Sequence, residues 1–109
     1  MFFILLGQAG TYHWMCPLVI QGLPYNEKAD VYSFSIIMWE VITGNIPYLG
    51  LQPIQIIAAV VNQNKRPVIP SNCDEDMEEM MIKCWDGDQN SRPSFEEIVV
   101  FLESKNLCL

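Results

Sequence analysis

The sequence predicts an all-α domain packed around one buried central helix, and three observations carry that expectation. Between Glu27 and Thr43 the charges gather at the start, at Glu27, Lys28 and Asp30, and then vanish until Glu40. In that gap Val31, Tyr32, Phe34, Ile36, Ile37, Met38 and Trp39 fall on every side of a helical wheel, the pattern of a helix in the middle of a domain. Apolar residues then recur at helical spacing in three later segments. Finally, Gly44 and Pro47, Pro67 and Pro70, and Pro93 punctuate the chain between those segments.

The central helix carries its own start and stop signals. Asn26 is placed to cap its first turn, the early acids suit the positive end of its dipole, and Gly44 followed by Pro47 ends it. At about 1.5 Å per residue it spans roughly 25 Å, the width of a small domain. Ahead of it, residues 1–10 read as an apolar lead, a short strand or disordered, with Phe2 to Leu6 as its body. Thr11 to Gly22, with two large aromatics and Pro17, suits a packed loop followed by one helical turn.

Beyond the helix, Pro53 fits a first helical position, and Ile54, Ile57, Ala58 and Val61 form the buried face of a second helix ending near Gln63. Pro67 and Pro70 forbid its continuation. A third helix begins near Asp74 with Met77, Met80, Met81 and Cys84 on its inner face. Those methionines read as core filler rather than as a metal or cofactor stripe. Ser94 with Glu97 makes a capping box for a fourth helix, whose stripe is Phe95, Ile98, Val99 and Leu102.

At 109 residues the chain is one domain or part of one, and at 50% apolar residues it has either a large core or an apolar face for a neighbour. Six basic and thirteen acidic residues give a net charge of -7, which repels a phosphate backbone, so nucleic acid is not an expected partner. The acidic block from Asp74 to Glu79 reads as a solvated helix face rather than a dock for basic partners. Cys16, Cys73, Cys84 and Cys108 share no close spacing and His13 is the lone histidine, which supports neither a metal site nor a disulfide framework. Reduced thiols and a cytoplasmic location are expected. The opening apolar run lacks the basic flank and length of a signal core, and no run approaches a membrane span of roughly 18 residues.

Three segments are more specific. Thr11 to Ile20, TYHWMCPLVI, resembles the end of a protein kinase activation segment, which often reads Gly-Thr-x-x-Trp-Met-Ala-Pro-Glu. Asp30 to Glu40, DVYSFSIIMWE, resembles the start of that family's helix F. Cys84 to Phe95, CWDGDQNSRPSF, is similar to the Cys-Trp-x-x-Asp-Pro-x-x-Arg-Pro-Ser-Phe run between its helices H and I. The three keep the family's order and spacing over about residues 10–105, and the mixed-lineage and Raf-like serine/threonine kinases of the tyrosine-kinase-like group are the nearest resemblance. The implied fold is a partial kinase C-terminal lobe, helices EF, F, G, H and I over residues 11–109, with 1–10 as the lead.

The resemblance implies a family activity, ATP-dependent phosphorylation of protein serine or threonine with magnesium. The motifs that carry that chemistry, a Gly-x-Gly-x-x-Gly loop, a lysine–glutamate pair, His-Arg-Asp and Asp-Phe-Gly, are not found in this sequence. The chain alone is therefore expected to be inactive, with no catalytic or metal residue and no cofactor of its own. Its expected partner is a protein or the missing upper kinase lobe, with no membrane involved. The alternative is a non-catalytic interaction module or decoy using the helix G and H surface; an unrelated helical adaptor is the third reading. The losses read as relaxed constraint on a shortened copy or as a start at an internal methionine.

By the same resemblance Thr11 and Glu40 are substrate-facing positions, while Trp14, Pro17, Asp30, Trp39, Trp85 and Arg92 are structural ones. Read from the residues alone, Glu40 is a hydrogen-bonding carboxylate and Thr11 a loop hydroxyl. Asp30 is a favourable charge in a first turn that caps its own helix or faces solvent. His13 and Tyr12 read as exposed loop residues. Leu18 stands where the family has the glutamate that pairs with Arg92; a buried Arg92 would then lack its partner, at a cost on the order of 3 to 5 kcal/mol. Ser35 replaces a glycine of helix F, and Gln89 replaces the proline of Asp-Pro-x-x-Arg-Pro.

Overall fold

A computed structural model describes residues 9–105, with side chains from Tyr12 onward; the lead at residues 1–8 and Cys108 lie outside the described residues. Every regular element described is helical, as the all-α expectation requires. A 3-10 helix, Ala9–Trp14, leads into the single turn α1, Pro17–Ile20. The long helix α2 covers Lys28–Thr43. Pro53–Ile57 forms α3, which continues as a π-helical stretch over Ala58–Asn62. Glu75–Cys84 forms α4, a 3-10 turn follows at Gln89–Ser91, and Phe95–Ser104 forms α5.

The ends of α2 follow from the residues there. Asn26 Oδ1 accepts from the Lys28 backbone N–H at 2.9 Å, while its carbonyl accepts from the Ala29 N–H at 3.0 Å. Gly44 closes the helix in the left-handed region at φ 69°, donating to the Glu40 carbonyl at 2.8 Å. The main core is α2 against α4: Val31, Tyr32, Ile36, Met38 and Trp39 pack with Met77, Met80, Met81, Cys84 and Trp85, and Ile98 joins from α5. The methionines thus fill core space. A smaller cluster of Tyr48, Ile56 and Val60 lies beside it, with Tyr12 and Ile20 packed on its edge.

Three expectations are corrected. The central helix is not buried all round: Ile37 is exposed and Val41 is 62% exposed, with Phe34 half-buried on the same side. Phe95 of α5 meets the Phe34 ring edge-on at 5.7 Å, and beyond that contact Ile37 and Val41 are left to solvent. In the second helix the buried face is Ile56, Ala59 and Val60, whereas Ile54 is 76% exposed. Ile56, Ala59 and Val60 keep the i, i+3, i+4 spacing of a helix, so the face is rotated rather than respaced: Ile54 to Val61 is apolar at every position but Gln55, and its pattern does not say which side meets the core. In α5 only Ile98 of the expected stripe is fully buried, Leu102 is half-buried, and Phe95 and Val99 are exposed, because the helix meets the core along one narrow edge.

The acidic block behaves as a helix start. Asp74 caps α4 by accepting from the Asp76 and Met77 N–H groups at 2.9 and 3.1 Å, and Glu75, Asp76 and Glu78 load the first turn. Two cations meet it on the surface, Lys83 to Glu79 at 3.2 Å and Lys105 to Asp76 at 3.8 Å. Exposed pairs of this kind contribute little, about 0 to 1 kcal/mol each. Among the described residues no helix is long and apolar enough to cross a membrane.

Candidate functional site

The residues singled out by sequence gather at two places on α2, along one face from Ser33 to Glu40 and at its start. Along the face, the 3-10 helix is latched onto α2 by two hydrogen bonds. Trp14 Nε1 donates to Glu40 Oε1 at 2.6 Å, and Ser33 Oγ donates to the Trp14 carbonyl at 2.8 Å. Ser33 and Glu40 lie seven positions apart, which on a helix is two turns along one face, so both reach the same indole residue. Glu40 is half-buried and engaged by Trp14, a hydrogen-bonding carboxylate within the protein. Thr11 lies in the same 3-10 helix, with its side chain outside the described ones. Pro17 occupies the first position of α1. His13 and Tyr12 are half-buried rather than exposed; the His13 ring lies 5.2 Å from that of Trp14.

The other constellation joins the start of α2 to the loop before α5. Arg92 is buried, and its Nε and Nη1 donate to the carbonyls of Asp86 and Lys28 at 2.8 and 3.0 Å. Lys28 returns the contact, donating from Nζ to the Arg92 carbonyl at 2.7 Å. The Arg92 Nη2 is buried without a hydrogen-bond partner. Arg92 therefore stays buried with Leu18 in place of the family's glutamate: main-chain carbonyls hold two of its donors, and the face of Tyr32, 5.1 Å away, receives its charge. Arg66 sits at the same 5.1 Å from the Tyr32 ring. Burial pushes the Tyr32 hydroxyl above its ordinary range, partly offset by the two guanidiniums.

Asp30 departs from its expectation. It lies in the first turn of α2, but its Oδ1 is buried with no hydrogen-bond partner, so it neither caps the helix nor turns both oxygens to water. Trp39 and Trp85 are buried in the core, and the Trp39 indole donates to the Val68 carbonyl at 2.8 Å. Burial also raises the Cys84 thiol to about 12. Cys16, Cys73 and Cys84 are free thiols.

The match to known proteins is extensive. The family described as protein tyrosine and serine/threonine kinase matches residues 6–102. The chain belongs to this family. It is 40% identical over 94% of its length to a serine/threonine/tyrosine-protein kinase of Arabidopsis thaliana, covering 26% of that protein. It is 41% identical over 91% of its length to a serine/threonine-protein kinase of the same plant, covering 17% of it. A dual specificity protein kinase of Dictyostelium discoideum is 43% identical over 84% of the chain, which covers 7% of that protein. The chain thus spans about a quarter or less of the length of these kinases.

Within this kinase segment two features were missed by the motif reading. Gln89, which departs from the family's proline, accepts from the Asn26 N–H through its Oε1 at 3.0 Å and so ties the last loop to the start of α2. A proline could not make that bond. The stacking of Arg66 and Arg92 on Tyr32 was also not foreseen, because Arg66 lies 26 residues before Arg92 in a loop with no helical register to place it. Ser35, fully buried, donates its hydroxyl to the Tyr32 carbonyl, which is how a serine fits a glycine position.

Proposed function

We propose that this chain is the lower, helical part of a kinase catalytic domain, a scaffold that does not itself bind ATP or transfer phosphate. In the whole protein the activity would be phosphorylation of protein hydroxyls with ATP and magnesium. The observation that carries the reading is Asp30. A buried carboxylate oxygen with no donor is costly unless donors reach it. Asp30 occupies the helix F position that, in the family, accepts main-chain N–H groups of the catalytic loop. The scaffold reading gives that oxygen a purpose: it holds a segment carried elsewhere in the kinase.

The residues of this chain do not fit ATP-magnesium, so no step is derived through it. Its sequence offers no glycine-rich phosphate loop and no Asp-Phe-Gly, and among the described residues no three acid, thiol or imidazole groups converge as a metal would need. The purified chain is therefore expected to show no thermal shift with ATP and magnesium and no transfer of labelled phosphate to a generic protein substrate. Either signal, clearly above a protein-free blank, overturns the reading. A second reading, a binding module without catalysis, is favoured by a cleft of about 440 Å³ beyond the C-terminal end of α2 that is lined by Lys65 and Arg66.

A further inference from the structure

At the C-terminal end of α2 a cleft of about 440 Å³ opens between the loop after the helix and the loop that precedes α4. That volume falls within the range of sites that bury a peptide side chain or a small ligand. Its apolar edge is unusual: Val68 is 79%, Leu49 75% and Ile46 55% exposed, and Trp39 lines its floor. Isolated exposed apolar residues need no explanation, but several around one concavity mark an interaction surface.

The charge in the cleft is as distinctive. Lys65 and Arg66 line it, adjacent in sequence, in a chain whose net charge is -7. Lys83 and Lys105 are taken by surface acids, Lys28 reaches the Arg92 carbonyl, and Arg92 is buried. Among the described residues neither Lys65 nor Arg66 forms an ion pair. Arg66 is nonetheless held in place, with Nε and Nη1 donating to the carbonyls of Trp85 and Lys65 at 2.9 and 2.8 Å. Carbonyls fix a guanidinium without neutralising it, so its charge stays available to an anion.

The wall is also rigid before anything binds. Trp39 Nε1 donates to the Val68 carbonyl at 2.8 Å, the Tyr48 hydroxyl donates to the Lys65 carbonyl at 3.4 Å, and Pro67, between those two residues in sequence, is buried. A loop already pinned loses less entropy on binding.

We propose that this cleft docks a short peptide in which carboxylates alternate with bulky apolar side chains. The apolar groups cover Ile46, Leu49 and Val68, and the carboxylates meet Lys65 and Arg66. Extended peptides place successive side chains on opposite sides, so such a pattern presents both kinds of contact along one strand. The proposal is independent of whether the chain takes part in phosphate transfer.

The test uses the full chain and a fluorescein-labelled peptide, Asp-Leu-Glu-Phe-Asp-Leu-Glu, read by fluorescence polarisation. Saturable binding is expected, weakening as salt rises from about 0.05 to 0.5 M. Lys65→Glu and Leu49→Ser, both at exposed positions, should each weaken it by about tenfold or more. The same peptide with lysine in place of every acid should not bind. Equal binding of the lysine peptide, full affinity in both variants, or no binding up to about 1 mM overturns the proposal. So does self-association of the chain that Lys65→Glu abolishes, since a second copy would then be the occupant. The salt and lysine-peptide arms require no variant to fold.

Discussion

A carboxylate that accepts from an indole N–H in a half-buried place gives more than a surface ion pair, because water competes less for it. Trp14 and Glu40 are such a pair, 26 residues apart and 2.6 Å in separation. Trp14→Phe keeps an aromatic ring but removes the donor together with part of the indole's volume, which the double-variant cycle below cancels. It is expected to destabilise the chain by about 1.5 kcal/mol, within the range for bonds to a charged group. Urea denaturation of Trp14→Phe, Glu40→Ala and the double variant should give a coupling of about 1 kcal/mol; a coupling indistinguishable from zero would sink the latch. The sequence placed both residues in recognisable motifs, but a motif does not say which side chains touch. Glu40 was legible as a hydrogen-bonding carboxylate, whereas its partner was not. Asp30 was misread for a related reason: its place in a first turn suggests a cap, and only packing determines that one oxygen is enclosed.

Helices are easier to read than residues where the end signals are local. The Ser94–Glu97 box is present as written: the Ser94 hydroxyl accepts from the Glu97 N–H at 3.1 Å, and Glu97 Oε1 accepts from the Ser94 N–H at 2.9 Å. Those bonds hold the Glu97 carboxyl below the ordinary carboxylate range. Ser94→Ala should cost about 1 kcal/mol, seen as a lower urea midpoint with an unchanged slope. No loss of midpoint would mean that α5 is held by packing alone. The α3 segment was legible in extent and not in face, because Ile54 to Val61 is apolar at every position but Gln55 and so offers more than one stripe of helical spacing. Likewise the apolar residues of α2 could not reveal that Val41 stays exposed, since a wheel counts residue types and not neighbours.

Across the whole molecule, three buried acidic protons tie stability to alkaline pH. Burial raises the Cys84 thiol to about 12 from an ordinary 9.0, and it raises the Tyr32 and Tyr48 hydroxyls above 10.0. Each group gives up its proton more readily in the unfolded chain, so at high pH the unfolded state binds fewer protons and stability falls as pH rises. The Cys84 contribution is whole below its unfolded value of 9.0 and is lost as pH climbs toward about 12. One such proton changes stability by up to about 1.4 kcal/mol per pH unit. Urea midpoints should therefore drop from about pH 9 upward, and Cys84→Ala should flatten that drop. An identical slope in the variant would place its source elsewhere.

The reciprocal contact between Lys28 and Arg92 has a consequence in time as well as in energy. The two residues are 64 positions apart, and each donates to the other's carbonyl. Most hydrogen bonds of this chain close a single helical turn and form quickly, whereas this clasp must wait for a long stretch of chain to be drawn together. Near it the Asn26 to Gln89 bond spans 63 positions. A chain made almost wholly of local helices thus has the start of its long helix and its last loop sewn at one distant seam. Among the hydrogen bonds of the described residues, this seam, rather than any helix, asks for the longest search as the chain folds.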